Sequence, residues 1–499
     1  MGNINNNTAQ LQEILELLQT KALPDDGAVY LPFLTNEGVA SDILEGKEFI
    51  DGEGNVIVGT FSLDSELRTQ SALISNIQTS LEGKSWGDGG GSKPTVIPKD
   101  VNFYDYDGVL LYSYTVDEAQ SLTELPDLPS HQGLVCQGWN YDLETIKSHN
   151  REVDVGAIYI TDDEKTRLYI TIASDGRMSV PLYFAQTVSQ GVTIDWGDGS
   201  STQTILGTGN VNTTHTYSNI GDYIITLEVT DGCTLDLGHN SDDYGVMGLI
   251  DATNAVYTNM LRKVLLGKGI TNISRACFGN CYSIQAITIP FNITSIGINA
   301  FRSCYALKSV VIPSSVTGIG EYAFYSCSGL RCAIIPNSVT QISDYMFGYS
   351  GLYNITIPNS ITKIGMYSFQ YCQKIRGIIG LENVVEIGKY AFAYCYSLVN
   401  IIIPDGPTIL YEATLLSCYS LAKVTVPSSV TKIESKVFRD CYNVAVYDFM
   451  SHISIPTLDS PSAFSNIPAD CIIKVPASLS SSWKQATNWS TYASQIVGV

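Results

Sequence analysis

Side chains that could support catalysis or hold a metal are sparse and scattered along this chain. The five histidines form no H-E-x-x-H motif and no paired spacing; they are His131, His149, His215, His239 and His452. No G-x-S-x-G motif surrounds a serine. Gly83-Lys84-Ser85 fails as a phosphate-binding loop, because Gln78 stands where the first glycine is needed. We therefore predict no enzyme, no catalytic residues, no metal and no cofactor.

Asp195 and Asp198 are the closest approach to a chemical site, since two carboxylates three residues apart could act as an acid/base pair or bind Ca²⁺. The alternative is structural. Asp198 would shape a tight turn with Gly199, and Asp195 would cap the hairpin. We favour the structural role, because the sequence supplies no further oxygen ligand beside them.

Cysteine recurs every 23 residues in the second half of the chain, always three positions after a large apolar residue. The cysteines are Cys281, Cys304, Cys327, Cys372, Cys395, Cys418 and Cys441, and the apolar residues are Phe278, Phe301, Phe324, Phe369, Phe392, Leu415 and Phe438. After Phe347, Ser350 takes the cysteine position, and the spacing then shortens to 22. A fixed period predicts stacked units, each contacting its neighbours.

In such a stack the cysteines form a column of small buried side chains, so we favour reduced core thiols over disulfides. Metal binding is disfavoured, because the chain has no C-x-x-C pair. The closest pair, Cys277 and Cys281, has no partner pair or histidine cluster nearby.

Tyrosine accompanies this cysteine column, often with serine beside it. The candidate ligand-binding residues are Tyr282, Tyr305, Tyr349, Tyr371, Tyr394, Tyr396, Tyr419 and Tyr442. Tyrosine and serine together make adaptable contact surfaces, and aromatic faces suit sugar rings. The alternative is an aromatic ladder that only covers the edge of the core.

One repeat, residues 307–329, predicts a short strand followed by a turn. Ala323, Phe324 and Cys327 are then expected on one face of a helical turn. The inward strand positions should stack as Ile287, Val310, Ala333, Ile355, Ile378, Ile401 and Val424. The neighbouring outward positions should face a concave sheet surface; they are Thr288, Val311, Ile334, Thr356, Ile379, Ile402 and Thr425.

The recurring phrase IPSSVTxIGxxAFxxC resembles the leucine-rich repeats of the BspA type, which occur in bacterial surface proteins and in phage proteins. The resemblance covers residues 258–475, and residues 476–499 resemble the terminal cap of the family. It implies a curved solenoid used for adhesion, and it does not specify a ligand.

Two stretches of the first 90 residues show heptad-like apolar spacing. Residues 4–22 and 63–81 are therefore predicted helices, whose seams either oligomerise or pack within their own domain. The candidate oligomerisation residues are Leu11, Leu15, Leu18, Leu67, Ile74, Ile77 and Leu81. We expect a homo-oligomer, and a homotrimer is the preferred state.

Residues 40–61 resemble a short segment of tail proteins from phages that infect Gram-positive bacteria, with an IL-x-GK and a G-x-x-x-x-GT frame. The first residues, MGNINNNTAQLQ, have neither the basic nor the apolar part of a signal peptide. Both features favour a protein assembled into a particle in the host cytoplasm.

Residues 99–160 predict a hairpin over residues 101–114, with its turn at Asp107-Gly108. A helix should follow from Thr115, with Glu118 in its first turn. This stretch resembles a small module of phage structural proteins.

Residues 161–232 contain VTIDWGDGSS and THTYSNIGDYIITLEVT, and together these motifs resemble a PKD domain. The resemblance implies an immunoglobulin-like sandwich with Trp196 between its sheets.

The formal net charge is −21, from 28 Lys and Arg against 49 Asp and Glu. Phosphate backbones and anionic membrane surfaces would be repelled, so nucleic-acid partners are disfavoured. No apolar stretch is long enough for membrane insertion.

The sequence thus predicts a mainly β, modular chain: N-terminal helices, a sandwich and a repeat solenoid. The predicted divisions are an attachment and oligomerisation region (1–85), a glycine-rich linker (86–98), a small α+β module (99–160), the sandwich (161–232), a connection (233–257), the solenoid (258–475) and the cap (476–499). The preferred function is a phage virion protein, in a tail fibre, tail tip or head appendage, that recognises the host. Its N-terminal region would contact other virion proteins, and its repeats a host-surface glycan or protein. The alternatives are a bacterial cell-surface adhesin and, less favoured, a polysaccharide- or cell-wall-degrading enzyme.

Overall fold

The computed structural model describes residues 100–173, 178–238, 249 and 259–499, together with the strands of residues 29–30, 47–50 and 56–59. The chain divides into residues 1–99 and residues 100–499. In the first unit, β1 (Val29–Tyr30) is parallel to β2 (Lys47–Ile50), which forms an antiparallel hairpin with β3 (Val56–Gly59). The predicted seam residues Leu11, Leu15, Leu18, Leu67, Ile74, Ile77 and Leu81 lie outside the described residues.

A small α+β module begins the second unit. Its elements are β4 (Val101–Tyr104), β5 (Leu110–Tyr114), α1 (Val116–Gln120), β6 (Leu134–Trp139), α2 (Leu143–Ser148) and β7 (Val153–Thr161), with the sheet order β5-β4-β7-β6. The predicted hairpin is present, and Gly108 takes a left-handed φ of +86° in its turn. Helix α1 begins as predicted, because Thr115 and Glu118 form a capping box.

A two-sheet β-sandwich follows. Its strands are β8 (Thr166–Ile172), β9 (Ser179–Gln186), β10 (Val192–Asp195), β11 (Gln203–Thr204), β12 (Gly209–Thr216), β13 (Gly221–Val229) and β14 (Leu235–Leu237). One sheet has the order β11-β10-β13-β8 and the other β12-β9-β14. Trp196 is buried as expected, and the Tyr217 hydroxyl donates to its carbonyl at 2.8 Å. The resemblance to PKD domains stays a prediction.

The solenoid consists of parallel strands that alternate between two sheets. The longer strands are β15 (Leu261–Leu265), β17 (Ala286–Thr288), β19 (Ser309–Val311), β21 (Cys332–Ile334), β23 (Asn354–Thr356), β25 (Gly377–Ile379), β27 (Asn400–Ile402), β29 (Lys423–Thr425), β31 (Val446–Asp448) and β33 (Ile472–Val475). The two-residue strands are β16 (Asn272–Ile273), β18 (Ser295–Ile296), β20 (Gly318–Ile319), β22 (Gln341–Ile342), β24 (Lys363–Ile364), β26 (Glu386–Ile387), β28 (Ile409–Leu410), β30 (Lys432–Ile433) and β32 (Thr457–Leu458). Val310 pairs with Ala333 and Ile401 with Val424, so the predicted inward columns are confirmed.

The two sheets of the sandwich continue into the two sheets of the solenoid. Strand β8 pairs antiparallel with β15, and β14 pairs in parallel with β16. One apolar core therefore runs without interruption from Leu168 in the sandwich to Ile496 near the C-terminus. The sandwich covers the first rung of the solenoid, which would otherwise expose apolar side chains and unpaired strand edges.

The C-terminal end of the solenoid is covered by a compact cap. It contains short 3₁₀ turns at Pro461–Phe464, Ala477–Leu479 and Trp489–Tyr492, helix α3 (Ser480–Gln485) and strand β34 (Ile496–Gly498). Trp483 and Trp489 are buried against Phe449, and the Trp489 indole donates to the Pro456 carbonyl at 2.8 Å. Large aromatic side chains thus close the apolar column.

The prediction of a helical turn around Phe324 is wrong. Ala323, Phe324 and Cys327 are buried as expected, but they lie in consecutive tight turns rather than in a helix. The Phe324 amide donates to the Met346 carbonyl of the next rung at 2.9 Å. Hydrogen bonds along the stacking direction replace those that a helix would form within one rung.

The cysteine column has a specific hydrogen-bonding role. Cys327 Sγ lies 3.1 Å from the Phe301 carbonyl oxygen of the preceding rung, and Cys304, Cys372, Cys395, Cys418 and Cys441 repeat this contact at 3.0–3.3 Å. Burial raises the pKa of the Cys327 thiol to about 12, so the thiol keeps its proton and donates it. All twelve cysteines are free. A cysteine fits because it is small, apolar and still a weak donor.

The α+β module covers part of the longer-stranded sheet, on the face where the sequence predicts a concave surface. Val311 and Ile334 of the outward column are buried against Ile158 of β7. The Tyr141 hydroxyl donates to the Ile335 carbonyl at 2.8 Å, and Thr356 Oγ1 donates to an Asp154 carboxylate oxygen at 2.9 Å.

Further along the solenoid the module ends and the sheet becomes open. Arg151 reaches across this boundary, donating to Glu382 at 2.5 Å and to the Ile357 carbonyl at 3.0 Å. Beyond it Ile402 is 74% exposed. The sheet face is therefore only partly available to another molecule.

Candidate ligand-binding surface

The tight turns of the solenoid place tyrosines at backbone positions that bulky residues rarely occupy. Tyr345 and Tyr349 have φ values of 57° and 60°, and Tyr367 and Tyr371 repeat the pattern at 58° each. A left-handed conformation costs an L-residue on the order of 1–2 kcal/mol. Inter-rung hydrogen bonds offset this cost, such as that from the Tyr371 amide to the Ala393 carbonyl at 2.9 Å. The turns thereby hold two tyrosines of one rung at fixed positions.

Six of the eight predicted tyrosines form one continuous aromatic band. Ring centroids are 4.5 Å apart for Tyr349 and Tyr371 and 4.3 Å for Tyr371 and Tyr394. The band then passes from Tyr394 to Tyr396 by an edge contact at 6.3 Å and continues to Tyr419 at 4.7 Å. We use the name tyrosine band for Tyr325, Tyr349, Tyr371, Tyr394, Tyr396, Tyr419 and Tyr442. Tyr325 also makes edge contacts with Tyr322 and Tyr345.

The other two predicted tyrosines form a separate stacked pair. Tyr282 and Tyr305 have ring centroids 4.7 Å apart. In the next two rungs the equivalent positions are Ser328 and Gly351, which carry no ring. The predicted residues therefore fall into two groups, and Tyr325 extends the larger group although the sequence argument did not include it.

Stacking determines which part of each ring a ligand can reach. Tyr371 and Tyr394 are almost parallel, at 10°, as are Tyr396 and Tyr419, at 12°. The faces of these rings cover each other, so a sugar ring cannot stack on them. All four residues are partly exposed, so a ligand would reach these rings at their edges. At one end of the band Tyr442 is 50% exposed, whereas at the other end Arg302 lies over the Tyr325 ring, 5.3 Å from its centroid.

A second tyrosine row was missed by the sequence argument. Tyr322, Tyr345, Tyr367 and Tyr390 stack at 4.4–4.9 Å, each pair at 9°. The signal was present as Tyr-x-Phe in four consecutive repeats, since each of these tyrosines precedes the core phenylalanine by two residues. Arg302 lies over the first ring, 5.7 Å from its centroid.

Several phenols of both sets have a raised pKa. Burial raises the pKa of Tyr349, Tyr394 and Tyr396, and the neighbouring phenols raise it further. The pKa of Tyr345 is raised to about 12 for the same reasons. The surface therefore offers a regular series of hydroxyl groups that both donate and accept hydrogen bonds.

Asp195 and Asp198 make turn contacts, which matches the structural alternative. Asp195 accepts from the Gly197 amide at 2.9 Å, and Asp198 accepts from the Ser200 amide at 3.0 Å and contacts the His215 ring at 2.7 Å. The hydrogen bond from Ser200, followed by that from His215, lowers the pKa of Asp198 to about 2. Within the described residues, no three metal-ligating side chains come together.

The fold and this surface define a parallel solenoid of the leucine-rich repeat class. The family model of the BspA type leucine-rich repeat region matches residues 252–376 and 341–468, with six copies. Residues 252–468 are therefore similar to the BspA-type leucine-rich repeat region, which supports the resemblance predicted for residues 258–475. No curated protein sequence matches the chain. In the part of the chain that the structure describes, no helix has the length and apolar character needed to cross a bilayer.

Several solved structures are similar to parts of the chain. A leucine-rich cell surface protein from Faecalibacterium prausnitzii is 27% identical, with a TM-score of 0.29; the match covers 38% of this chain and 59% of that protein, less than two thirds of its length. A leucine-rich repeat protein from Bacteroides ovatus is 22% identical over 47% of this chain and 76% of its own, with a TM-score of 0.29. A leucine-rich repeat protein from Eubacterium ventriosum is 21% identical, with a TM-score of 0.34; the match covers 50% of this chain and 75% of that protein.

Proposed function

We propose that this protein is a non-enzymatic adhesin that recognises a cell surface through its tyrosine band. The observation that carries the proposal is the continuous contact of seven tyrosine rings along the solenoid, in which three of the six ring contacts are stacked. Two neighbouring rungs bring equivalent hydroxyl groups about 4.8 Å apart. A ligand with its own repeated hydrogen-bonding groups would match this spacing.

A surface glycan suits the proposal better than a flat apolar partner. Its hydroxyl groups can donate to and accept from successive phenols, and its terminal ring can stack on the open face of Tyr442. Each contact is weak, so affinity would come from several rungs and from several copies on one surface. The net charge of −21 favours a neutral or cationic glycan over a polyanion.

We propose the bacterial cell surface as the setting, because the BspA-type repeat region is the feature that a family match supports. A phage virion is the second candidate, and it rests on the resemblance of residues 40–61 to tail proteins. Immuno-electron microscopy of intact bacteria and of purified particles from the same culture separates the two. Labelling of cells alone supports the first, and labelling of particles supports the second.

Adsorption of the purified full chain to bacterial cells tests the binding surface. Replacing Tyr396, Tyr419 and Tyr442 together with serine should lower adsorption at least about tenfold, since each lost aromatic contact is expected to contribute on the order of 1 kcal/mol. A matched control replaces three exposed apolar residues elsewhere, Val385, Ile402 and Ile453, with serine. Equal adsorption of both variants and the parent, with melting temperatures unchanged, would refute the proposal.

A further inference from the structure

A groove at the junction of sandwich and solenoid lies apart from the tyrosine band. Its volume is about 470 Å³, within the range of small-molecule sites. Strands β13, β8, β15 and β17 form its floor, and its lining includes Tyr169, Asp222, Arg262, Lys263 and Gln285. The groove is therefore lined by an aromatic ring, by cationic groups and by a carboxylate.

Two consecutive cations reach this groove because the strand has an irregular register. Leu261 pairs with Ile170 and Lys263 with Tyr169, so Arg262 is an extra residue opposite one peptide of β8. In a regular strand, adjacent side chains point to opposite faces of the sheet. The bulge instead leaves both Arg262 and Lys263 on the groove side, while Leu261 and Val264 are buried. β-Bulges commonly redirect side chains in this way.

The two cations lack carboxylate partners within the described residues. Arg262 Nε lies 3.3 Å from Thr171 Oγ1, and Lys263 Nζ lies 3.3 Å from the Tyr106 hydroxyl. The Asp222 carboxylate lines the same groove and accepts from Thr171 Oγ1 at 2.7 Å, without an ion pair to either cation. In a chain with 49 acidic and 28 basic residues, this local excess of positive charge is a feature of the groove itself.

Aromatic and polar neighbours complete a site for a sugar ring. Lys263 Nζ lies 5.7 Å from the centroid of the partly exposed Tyr169 ring, so a carboxylate at the ammonium would bring its own ring beside the tyrosine. Asp222 and Gln285 can then bond to sugar hydroxyl groups. A polyanion would be repelled by the acidic rest of the protein. A single carboxylate in the groove would feel little of this repulsion, because salt screens charges that are more than about 10 Å away.

We propose that this groove binds a carboxylate-bearing monosaccharide unit, with Arg262 and Lys263 holding the carboxylate and Tyr169 flanking the ring. This site is independent of the tyrosine band, and its occupation does not require the proposed adhesive function. It would give the protein a second saccharide contact with a different charge requirement.

NMR titration of the full chain tests the proposal with three probes: glucuronic acid, glucose as the uncharged ring, and acetate as the carboxylate without a ring. Glucuronic acid should bind with a Kd on the order of 1 mM, as expected for so small a ligand. Glucose and acetate should each bind at least about tenfold more weakly, because each lacks one half of the recognition.

The variant Arg262→Gln/Lys263→Gln should weaken glucuronic acid binding at least about tenfold. The matched control, Lys308→Gln/Lys484→Gln, removes the same charge from two exposed positions outside the groove and should leave binding unchanged. A second variant, Ala286→Trp, fills the groove and should also abolish binding. Absence of glucuronic acid binding, equal binding of acetate, or unchanged binding in both groove variants would overturn the proposal.

Discussion

The most demanding structural prediction concerns Gly156, where the α+β module meets the solenoid. A Cβ atom added to Gly156 would lie 2.9 Å from Val311 Cγ2, 3.1 Å from Val311 Cβ and nearer still to Val311 Cγ1. Gly156 has an ordinary backbone conformation, so the substitution Gly156→Ala acts through this close approach alone. The module must move away from the sheet, or Val311 must move into a filled core.

We expect Gly156→Ala to lower the free energy of unfolding by about 1–3 kcal/mol, as overpacking does in a dense interior. Val311→Ala alone should cost about 1–2 kcal/mol, because it removes two buried methyl groups. The double variant should be more stable than the sum of these losses by about 1–3 kcal/mol, since the shorter side chain makes room for the new methyl.

Urea unfolding of the full chain gives these free energies, and hydrogen exchange of the β7 amides reports whether the module has lifted from the sheet. Gly318→Ala is the matched control, because a Cβ at Gly318 meets nothing within 4 Å. Additive losses within about 0.5 kcal/mol, or unchanged exchange in β7, would refute the close contact.

Three further predictions concern buried or turn-forming groups. Cys327→Ala should lower the free energy of unfolding by about 1–3 kcal/mol, because it removes the thiol hydrogen bond to the Phe301 carbonyl and leaves a small cavity, while the Cys304 amide still donates to that carbonyl at 3.1 Å. Cys327→Ser should cost less, since Ser350 fills the equivalent position and contacts Cys372 at 3.2 Å; equal losses in urea unfolding would contradict this role. Burial raises the pKa of Asp154 above its usual 3.8, so the folded state holds the proton more tightly and stability should fall as pH rises from about 4 through the raised pKa. Melting temperatures measured across pH should show this decline in the parent and a flatter profile in Asp154→Asn; identical profiles would exclude the effect. The pKa of Asp198 is lowered to about 2, so its contribution is complete above 3.8 and is lost as pH falls through about 2. Asp198→Asn should remove that acid-limb loss in the same melting experiment, and calcium or a chelator should leave the melting temperature of the parent unchanged.

The repeat period predicts most of the solenoid from the sequence alone. A period of 23 fixes which residues stack, so pairs such as Val310 and Ala333 follow without any tertiary information. The period does not specify the turn conformation, because Phe324 and Cys327 are buried equally in a helix and in tight turns. The left-handed residues were missed for this reason: a tyrosine at φ near 58° contradicts local preference and is stabilised only by the next rung.

Contacts between segments that are distant along the chain could not be predicted from the sequence. Nothing in the spacing of β7 indicates that Gly156 lies against Val311, or that the module covers the outward column. The shared core of sandwich and solenoid depends on two strand pairings, β8 with β15 and β14 with β16, and the bulge at Arg262 arises at the first of them. The sequence predicts which tyrosines the band contains, but their stacking depends on turn conformations that the spacing of residues does not specify.

The central proposal is that exposed phenol groups of the band contact the ligand, and hydroxyl deletion is its most direct test. Replacing Tyr371, Tyr396 and Tyr419 with phenylalanine keeps the stacked rings and removes only the hydroxyl groups. Adsorption of the full chain to bacterial cells should fall at least about tenfold, with an unchanged melting temperature. The same exchange at Tyr345 and Tyr367 of the second row serves as the control. Full adsorption by the band variant would contradict the account and leave the stacked tyrosines as a covering of the core.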